Sequence, residues 1–131
     1  MTMTACDTVL VIDDNEDTLS LTLALLTSHG YEAVGANSGM TALALLRDGI
    51  HPRLVLLDLN MPGMDGFQFR TEQLCDPDLA RIPVVVLSAA GALVVKAAAE
   101  TMRAAGALMK PVDADELLRV VGTITGRDPA P

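Results

Sequence analysis

Aromatic residues are nearly missing from this sequence, with one tyrosine, two phenylalanines and no tryptophan in 131 residues. Any core must be built from Leu, Val, Ile and Ala. Basic runs are missing too. Nine Lys and Arg stand against seventeen Asp and Glu, a formal net charge of −8, which argues against the clustered positive surface of a nucleic-acid binder. The two cysteines, Cys6 and Cys75, lie far apart and match no metal or redox spacing, as expected of reduced thiols in a cytosolic protein. No apolar run approaches the roughly 20 residues of a membrane-spanning helix. Met1 to Asp7 lacks the basic and apolar segments of a signal peptide. There is no internal repeat, linker or low-complexity tract. A cytoplasmic protein with no membrane contact is the expectation. Half of the residues are hydrophobic, which excludes general disorder. The length suits a single domain over 1–131, with a core at about 7–125 and a loose tail at 126–131.

What is present is organised around Leu54-Val55-Leu56-Leu57-Asp58 and the turn Asn60-Met61-Pro62-Gly63. Four consecutive aliphatics fit a strand buried on both faces. A carboxylate can end such a strand only at an open edge with a partner. Asp58 is therefore expected at the carboxyl end of a central strand, where open α/β sheets place their ligands.

Before it, Thr8 to Ile12 reads as a strand that breaks into Asp13-Asp14, with Asn15 as N-cap of a helix carrying Leu19, Leu23 and Leu26 to about His29 and Gly30. Tyr31 to Ala36 is a more mixed strand, expected at an edge. Ser38 caps a helix with Leu43 and Leu46 on its buried side, ending at Gly49. The third strand spans Arg53 to Asp58. A third helix from Gly66 carries Phe67 and Leu74. Pro83 to Ser88 is a strand ending in a hydroxyl, Leu93 to Ala105 an Ala-rich helix, and Ala107 to Met109 a short strand ending at Lys110-Pro111. Asp113 and Glu116 open the last helix in a capping-box-like spacing. Five strands alternating with five helices imply βαβ crossovers and a parallel sheet covered on both faces. The expected class is a flavodoxin-like, doubly wound (βα)5 fold of strand order 2-1-3-4-5.

Polar residues then punctuate the carboxyl ends of successive strands: Asp13 and Asp14, Asp58, Ser88 and Lys110. Taken singly, each has a plain structural explanation. Asp13-Asp14 reads equally well as helix-capping acids, Asp58 as turn chemistry, and Lys110-Pro111 as a solvated turn. A turn-only account does not explain why all of them fall at the same end of buried strands. Order 2-1-3-4-5 brings strands one and three together and converges three carboxylates. Such carboxylates repel unless a cation is present, and an all-oxygen donor set selects a hard ion such as Mg²⁺. Three carboxylates, one divalent cation and Lys110 sum to zero charge, leaving a site able to receive an anion. A carboxylate nucleophile with a metal and a lysine is equipped for phosphoryl transfer onto Asp58, with the Ser88 hydroxyl as a donor to a phosphoryl oxygen.

The chain resembles the receiver domain of bacterial two-component response regulators over nearly its whole length. The resemblance rests on Val11-Ile12-Asp13-Asp14-Asn15, Asp58-Leu59-Asn60-Met61-Pro62-Gly63-Met64-Asp65-Gly66, Leu87-Ser88-Ala89-Ala90 and Lys110-Pro111. It implies that Asp58 accepts a phosphoryl group from a phosphohistidine on a sensor histidine kinase or histidine phosphotransfer protein. It implies Mg²⁺, or Mn²⁺ in its place, held directly by Asp14 and Asp58, through water by Asp13, and by the backbone carbonyl of Asn60. It implies contact of Ser88 and Lys110 with the phosphoryl group, and a cis Lys110–Pro111 bond. Asn60 and Ala90 fall at positions that tune water access in that family.

One departure stands out. Such domains carry an aromatic three residues before the lysine, which follows the hydroxyl residue inward on phosphorylation; here that residue is Ala107, and Val112 is likewise small. The expectation is that the state of Asp58 is read by a downstream protein target through backbone shifts around Ser88, helix four, strand five and helix five. That face carries mixed charge (Lys96, Glu100, Arg103, Asp113, Asp115, Glu116, Arg119) and suits a monomer with a partner or a weak homodimer. The chain is expected to be a signalling phosphoacceptor and not an enzyme acting on an external metabolite, either a stand-alone receiver or one excised from a larger protein. Two alternatives stay open: an Mg²⁺-dependent phosphohydrolase with an Asp nucleophile, for which Asn60 stands where a second acid is usual, and a receiver-like binding module that is not phosphorylated.

Overall fold

The aliphatic runs form the strands of one sheet. In a computed structural model, which describes residues 8–61 and 63–126, the elements are β1 (Thr8–Ile12), α1 (Glu16–Ser28), β2 (Glu32–Ala36), α2 (Gly39–Arg47), β3 (Leu54–Asp58), α3 (Gly66–Leu74), β4 (Val84–Ser88), α4 (Ala92–Met102), β5 (Gly106–Met109) and α5 (Ala114–Thr125). All pairings are parallel, in the order β2-β1-β3-β4-β5. The expected doubly wound arrangement is therefore present. Among the described residues, no helix is long and apolar enough to cross a membrane.

Side chains alternate across a strand, and β1, β3 and β4 are buried along their whole length. Leu10, Ile12, Val55, Leu57, Val84 and Val86 face one layer, against Leu43 and Leu46 of α2, Phe69 of α3 and Val95 and Met102 of α4. Val9, Val11, Leu54, Leu56, Val85 and Leu87 face the other, against Leu26 of α1 and Leu117 and Val121 of α5. The sheet thus has α2, α3 and α4 on one face and α1 and α5 on the other. Ile12 pairs with Leu57, Asp58 with Leu87, and Ser88 with Met109. That register brings the carboxyl ends of four strands to one level.

Local chemistry sets the helix ends. Asn15 and Ser38 accept the N–H groups of Thr18 and Thr41 as N-caps, which satisfies donors the first turn leaves unpaired. The reciprocal capping box forms at α3, between Asp65 and Gln68, and not at α5. There Asp113 alone caps, accepting from the N–H of Asp115. Phe67 and Leu74 lie on the exposed side of α3, whose buried face is Phe69, Arg70 and Gln73. One further reading is corrected: helix α4 ends at Met102, short of Ala105, because Arg103 turns left-handed with φ of 55°. Cys75 is exposed; Cys6 and the tail from 127 onward lie outside the described residues.

Two glycines permit close approach. A Cβ on Gly35 of β2 would meet the tips of Leu23 and Leu19, flexible side chains of α1, at 2.8 and 3.2 Å. A Cβ on Gly66 would meet the Leu59 Cα at 2.9 Å and the Asp58 carbonyl oxygen at 3.1 Å, which are backbone. Overpacking costs about 1–3 kcal/mol where the surroundings cannot yield. Gly66→Ala is expected to lose stability in that range, and Gly35→Ala clearly less; urea titration of the two variants checks the order.

Candidate functional site

Four strand ends supply the site. Asp13, directly after β1, is 1 % exposed. Asp58, the last residue of β3, is 4 % exposed, and Ser88 at the end of β4 is fully enclosed. The Lys110 ammonium, directly after β5, reaches back across the sheet. Its Nζ lies 2.9 Å from Asp13 Oδ2 and 3.3 Å from Asp58 Oδ2. Asp14 is exposed at the mouth, and single carboxylate oxygens of Asp13, Asp14 and Asp58 lie within 4.8 Å of one another. All the residues expected from the sequence, Asp13, Asp14, Asp58, Asn60, Ser88 and Lys110, thus fall in or beside one cleft.

Backbone donors hold the carboxylates in place. The N–H of Asn15 donates to Asp13 Oδ1 at 3.0 Å, and the N–H of Asn60 to Asp58 Oδ1 at 3.3 Å. Sheet pairing continues past the strand ends: Leu59 N–H donates to Leu87 O, and Lys110 N–H to Ser88 O at 2.9 Å. The Lys110–Pro111 bond is cis. Ser88 Oγ accepts from Ala90 N–H at 3.1 Å and from the Asn60 side-chain amide at 3.3 Å. Nothing in the residue pattern announces that last contact. It joins residues 28 apart, and neither residue type demands the other. Ala107 sits half-buried against the layer that contains α4.

Burial pushes the Asp58 carboxyl up to about 6, the nearby Asp13 charge adding to it, although Lys110 and the Asn60 N–H pull in the opposite direction. Burial alone would lower Lys110, but its hydrogen bond to Asp13 and the charges of Asp58 and Asp13 outweigh this and raise it. Lys110 is therefore a fixed cation at neutral pH, shared by two buried carboxylates. One ammonium cannot neutralise both, and the surplus negative charge together with three convergent oxygens fits a divalent hard cation. Imidazole and thiolate, which a softer metal prefers, are not part of the cluster.

A five-stranded parallel sheet of this order, with an acidic cleft and a lysine at its carboxyl edge, defines a class of doubly wound proteins that bind at a topological switch point. Residues 9–122 match the family model described as the response regulator receiver domain, and the chain belongs to that family. It is 36 % identical over 121 residues to the regulatory protein AtoC of Escherichia coli, covering 91 % of this chain and 25 % of AtoC. It is 30 % identical over 116 residues to protein PilH of Pseudomonas aeruginosa, covering 88 % of this chain and 95 % of PilH. The chain thus spans a quarter of the one relative and nearly all of the other. The crystal structure of the chemotaxis protein CheY4 of Vibrio cholerae superposes with a TM-score of 0.84 at 27 % identity, covering 92 % of this chain and 99 % of that one.

The raised carboxyl has a measurable consequence. Between about pH 4 and 6 the folded chain keeps on Asp58 a proton that the unfolded chain has released, so raising the pH through this window weakens folding. The ionised form then costs on the order of 2–3 kcal/mol above pH 6. Asp58→Asn removes the titration. In metal-free buffer the variant is expected to be more stable than the parent at pH 7.5 and to converge with it near pH 4. Denaturant unfolding across that range checks this, and a gap that does not change with pH would contradict it.

Proposed function

We propose that this chain is a phosphoacceptor receiver in which Asp58 takes a phosphoryl group from a phosphohistidine on a sensor histidine kinase or histidine phosphotransfer protein. The observation that carries the reading is the shared ammonium: Lys110 holds two buried carboxylates from separate strands at one open edge. Asp58 Oδ attacks phosphorus, the P–N bond to the imidazole breaks, and the leaving imidazole takes up a proton. Lys110 lies where it balances charge on the phosphoryl oxygens. Both lone pairs of Ser88 Oγ are engaged by Ala90 N–H and the Asn60 amide, so its own hydrogen is free to donate to a phosphoryl oxygen.

Asp14 and Asp58 would hold Mg²⁺, or Mn²⁺, directly, with Asp13 through water and the carbonyl of Asn60 completing the protein share. When bound, the cation offsets the charge that develops on the transferring group. The same positive charge draws Asp58 back toward its ionised, nucleophilic form.

A groove of about 220 Å³ adjoins Lys110. Thr18, Leu21, Thr22, Leu25, Pro111, Val112 and Leu117 line it. A donor protein seated on this apolar surface would bring its phosphohistidine over the cleft. The proposed unit is a single receiver acting in the cytoplasm as a monomer or weak homodimer. Its state is passed to a downstream protein through the α4–β5–α5 face, with Ala107 in place of a movable aromatic. The chain catalyses only its own phosphorylation and dephosphorylation. An Asp-nucleophile phosphohydrolase needs a carboxyl two residues after the nucleophile. That residue is Asn60, and its amide is directed at Ser88.

Incubation with Mg²⁺ and acetyl phosphate, followed by intact mass, tests the reading. One phosphoryl adduct is expected, lost in Asp58→Asn. Continuous phosphate release without an adduct would favour the hydrolase, and no adduct under any donor or metal condition would favour an unphosphorylated binding module. Asp14→Ala is expected to abolish Mg²⁺ binding while keeping the fold; unchanged affinity by calorimetry would remove Asp14 from the metal site.

A further inference from the structure

We infer that α3, clamped to α4 by Arg70, is the arm through which the state of Asp58 sets the position of α4; this rests on the receiver reading above. The first turn and the second half of α3 are tied in ways that its length and composition do not require. At the near end, Gly66 N–H donates to Leu59 O at 3.1 Å, and Gly66 lies so close to the Asp58–Leu59 backbone that no Cβ fits. The capping box of Asp65 and Gln68 fixes the same turn. Any shift of the peptide behind the phosphoacceptor meets the first turn of α3 with no slack between them.

Halfway along the helix Arg70 is buried, 7 % exposed as a whole residue, and the partners of its guanidinium are oxygen acceptors without full charge. Nε donates to Met102 O at 3.0 Å, Nη2 to Arg103 O at 3.1 Å and Nη1 to Gln73 Oε1 at 2.9 Å. Gln73, itself fully buried, donates to Leu79 O and Ile82 O in the segment entering β4. The arrangement holds the carboxyl end of α4 by a rigid planar fork. That end has no basic residue of its own in its last turn, and it closes on the left-handed Arg103, not on a glycine. Arg70 thus supplies from a neighbouring helix the cation that complements the carboxyl-terminal dipole of α4.

The other end of α4 is loosely held. Its N-cap, Gly91, makes no side-chain capping bond, and Ala89 to Val94 are exposed beside Ser88. Strand β5 reads Gly-Ala-Leu-Met, and its residue packed against the α4 layer is Ala107, a methyl group with no conformers to switch. Among the described residues, then, α3 grips α4 by directional bonds to a buried charge, whereas β5 meets it with a methyl group. Such a clamp is directional and has discrete arrangements, whereas the contact of a single methyl group sets no direction.

The test follows amide and Arg Nε–H resonances during titration of the full chain with beryllofluoride and Mg²⁺. In the parent protein, amides 102–104 and the Arg70 Nε–H are expected to shift together with those of 58–60 and 88–90. In Arg70→Lys, which keeps the charge but loses the fork, the pocket amides are expected to shift as before while 102–104 fall silent. Pocket shifts without movement at 102–104 or at the Arg70 Nε–H in the parent overturn the arm, as does an Arg70→Lys response identical to the parent's. The parent measurement stands even if the variant fails to fold. No shift at 13, 58–60 and 88 overturns the receiver reading and the arm with it, an outcome distinct from loss of the distal signal alone.

Discussion

The ammonium of Lys110 between Asp13 and Asp58 is the interaction on which the site depends, and its geometry dictates much else. Neighbouring strands lie roughly 4.8 Å apart. In the order β1-β3-β4-β5, Lys110 starts about two strand spacings from Asp58 and three from Asp13. The lysine must reach back over the end of β4, so β4 has to end in something small, and it ends in Ser88. The reach also needs the strand ends to be level, which the register provides. Strand order, the small residue at the end of β4 and the length of the lysine stem are thus parts of one requirement.

That requirement works against stability. Burial, with a smaller push from a second carboxylate, raises Asp58 to about 6 against the pull of Lys110, so at neutral pH the fold carries a charge that its surroundings resist. Two acids on one base leave a deficit of positive charge, and the missing charge defines what the cleft accepts. A divalent cation corrects the deficit, and a site so neutralised then tolerates the anionic oxygens of a phosphoryl group. On the proposed reading, affinity for the metal and readiness for the phosphoryl group follow from the same imbalance, which the apolar strands β1 and β3 sharpen by excluding water.

The sheet and this cleft were legible in the sequence because their signals are abrupt. Fully apolar strands ending in Asp58, Ser88 or Lys110 leave little choice of direction or depth, and successive strands repeat the pattern. The buried face of the second half of α3 was not legible, for a physical reason. Arg70 and Gln73 are polar and buried, so a reading that sorts residues by polarity places them outside. Their burial is supported by carbonyls of Leu79, Ile82, Met102 and Arg103, and carbonyls carry no sequence signature. The end of α4 was missed for a related reason, since nothing in the residue type of Arg103 announces a left-handed turn that glycine usually makes. The Asn60–Ser88 contact belongs with these, a tertiary pairing between side chains that each have ordinary local uses.

The scarcity of aromatics joins these observations. A sheet packed by Leu, Val and Ala has few large side chains able to swing between two positions, and β5 has none facing α4. Coupling between distant points then has to use directional contacts, and in this chain those gather where charge is buried: Lys110 at the cleft and Arg70 between α3 and α4. The two cations, Arg70 buried and Lys110 half-buried, are alike in being held by several oxygens, but they differ in what their partners can do. The carboxylates around Lys110 change charge and acquire ligands, whereas the carbonyls around Arg70 only move. On the proposed reading, one cation stands where a chemical state is written and the other where a displacement of backbone is passed on, with helix α3 as the element between them.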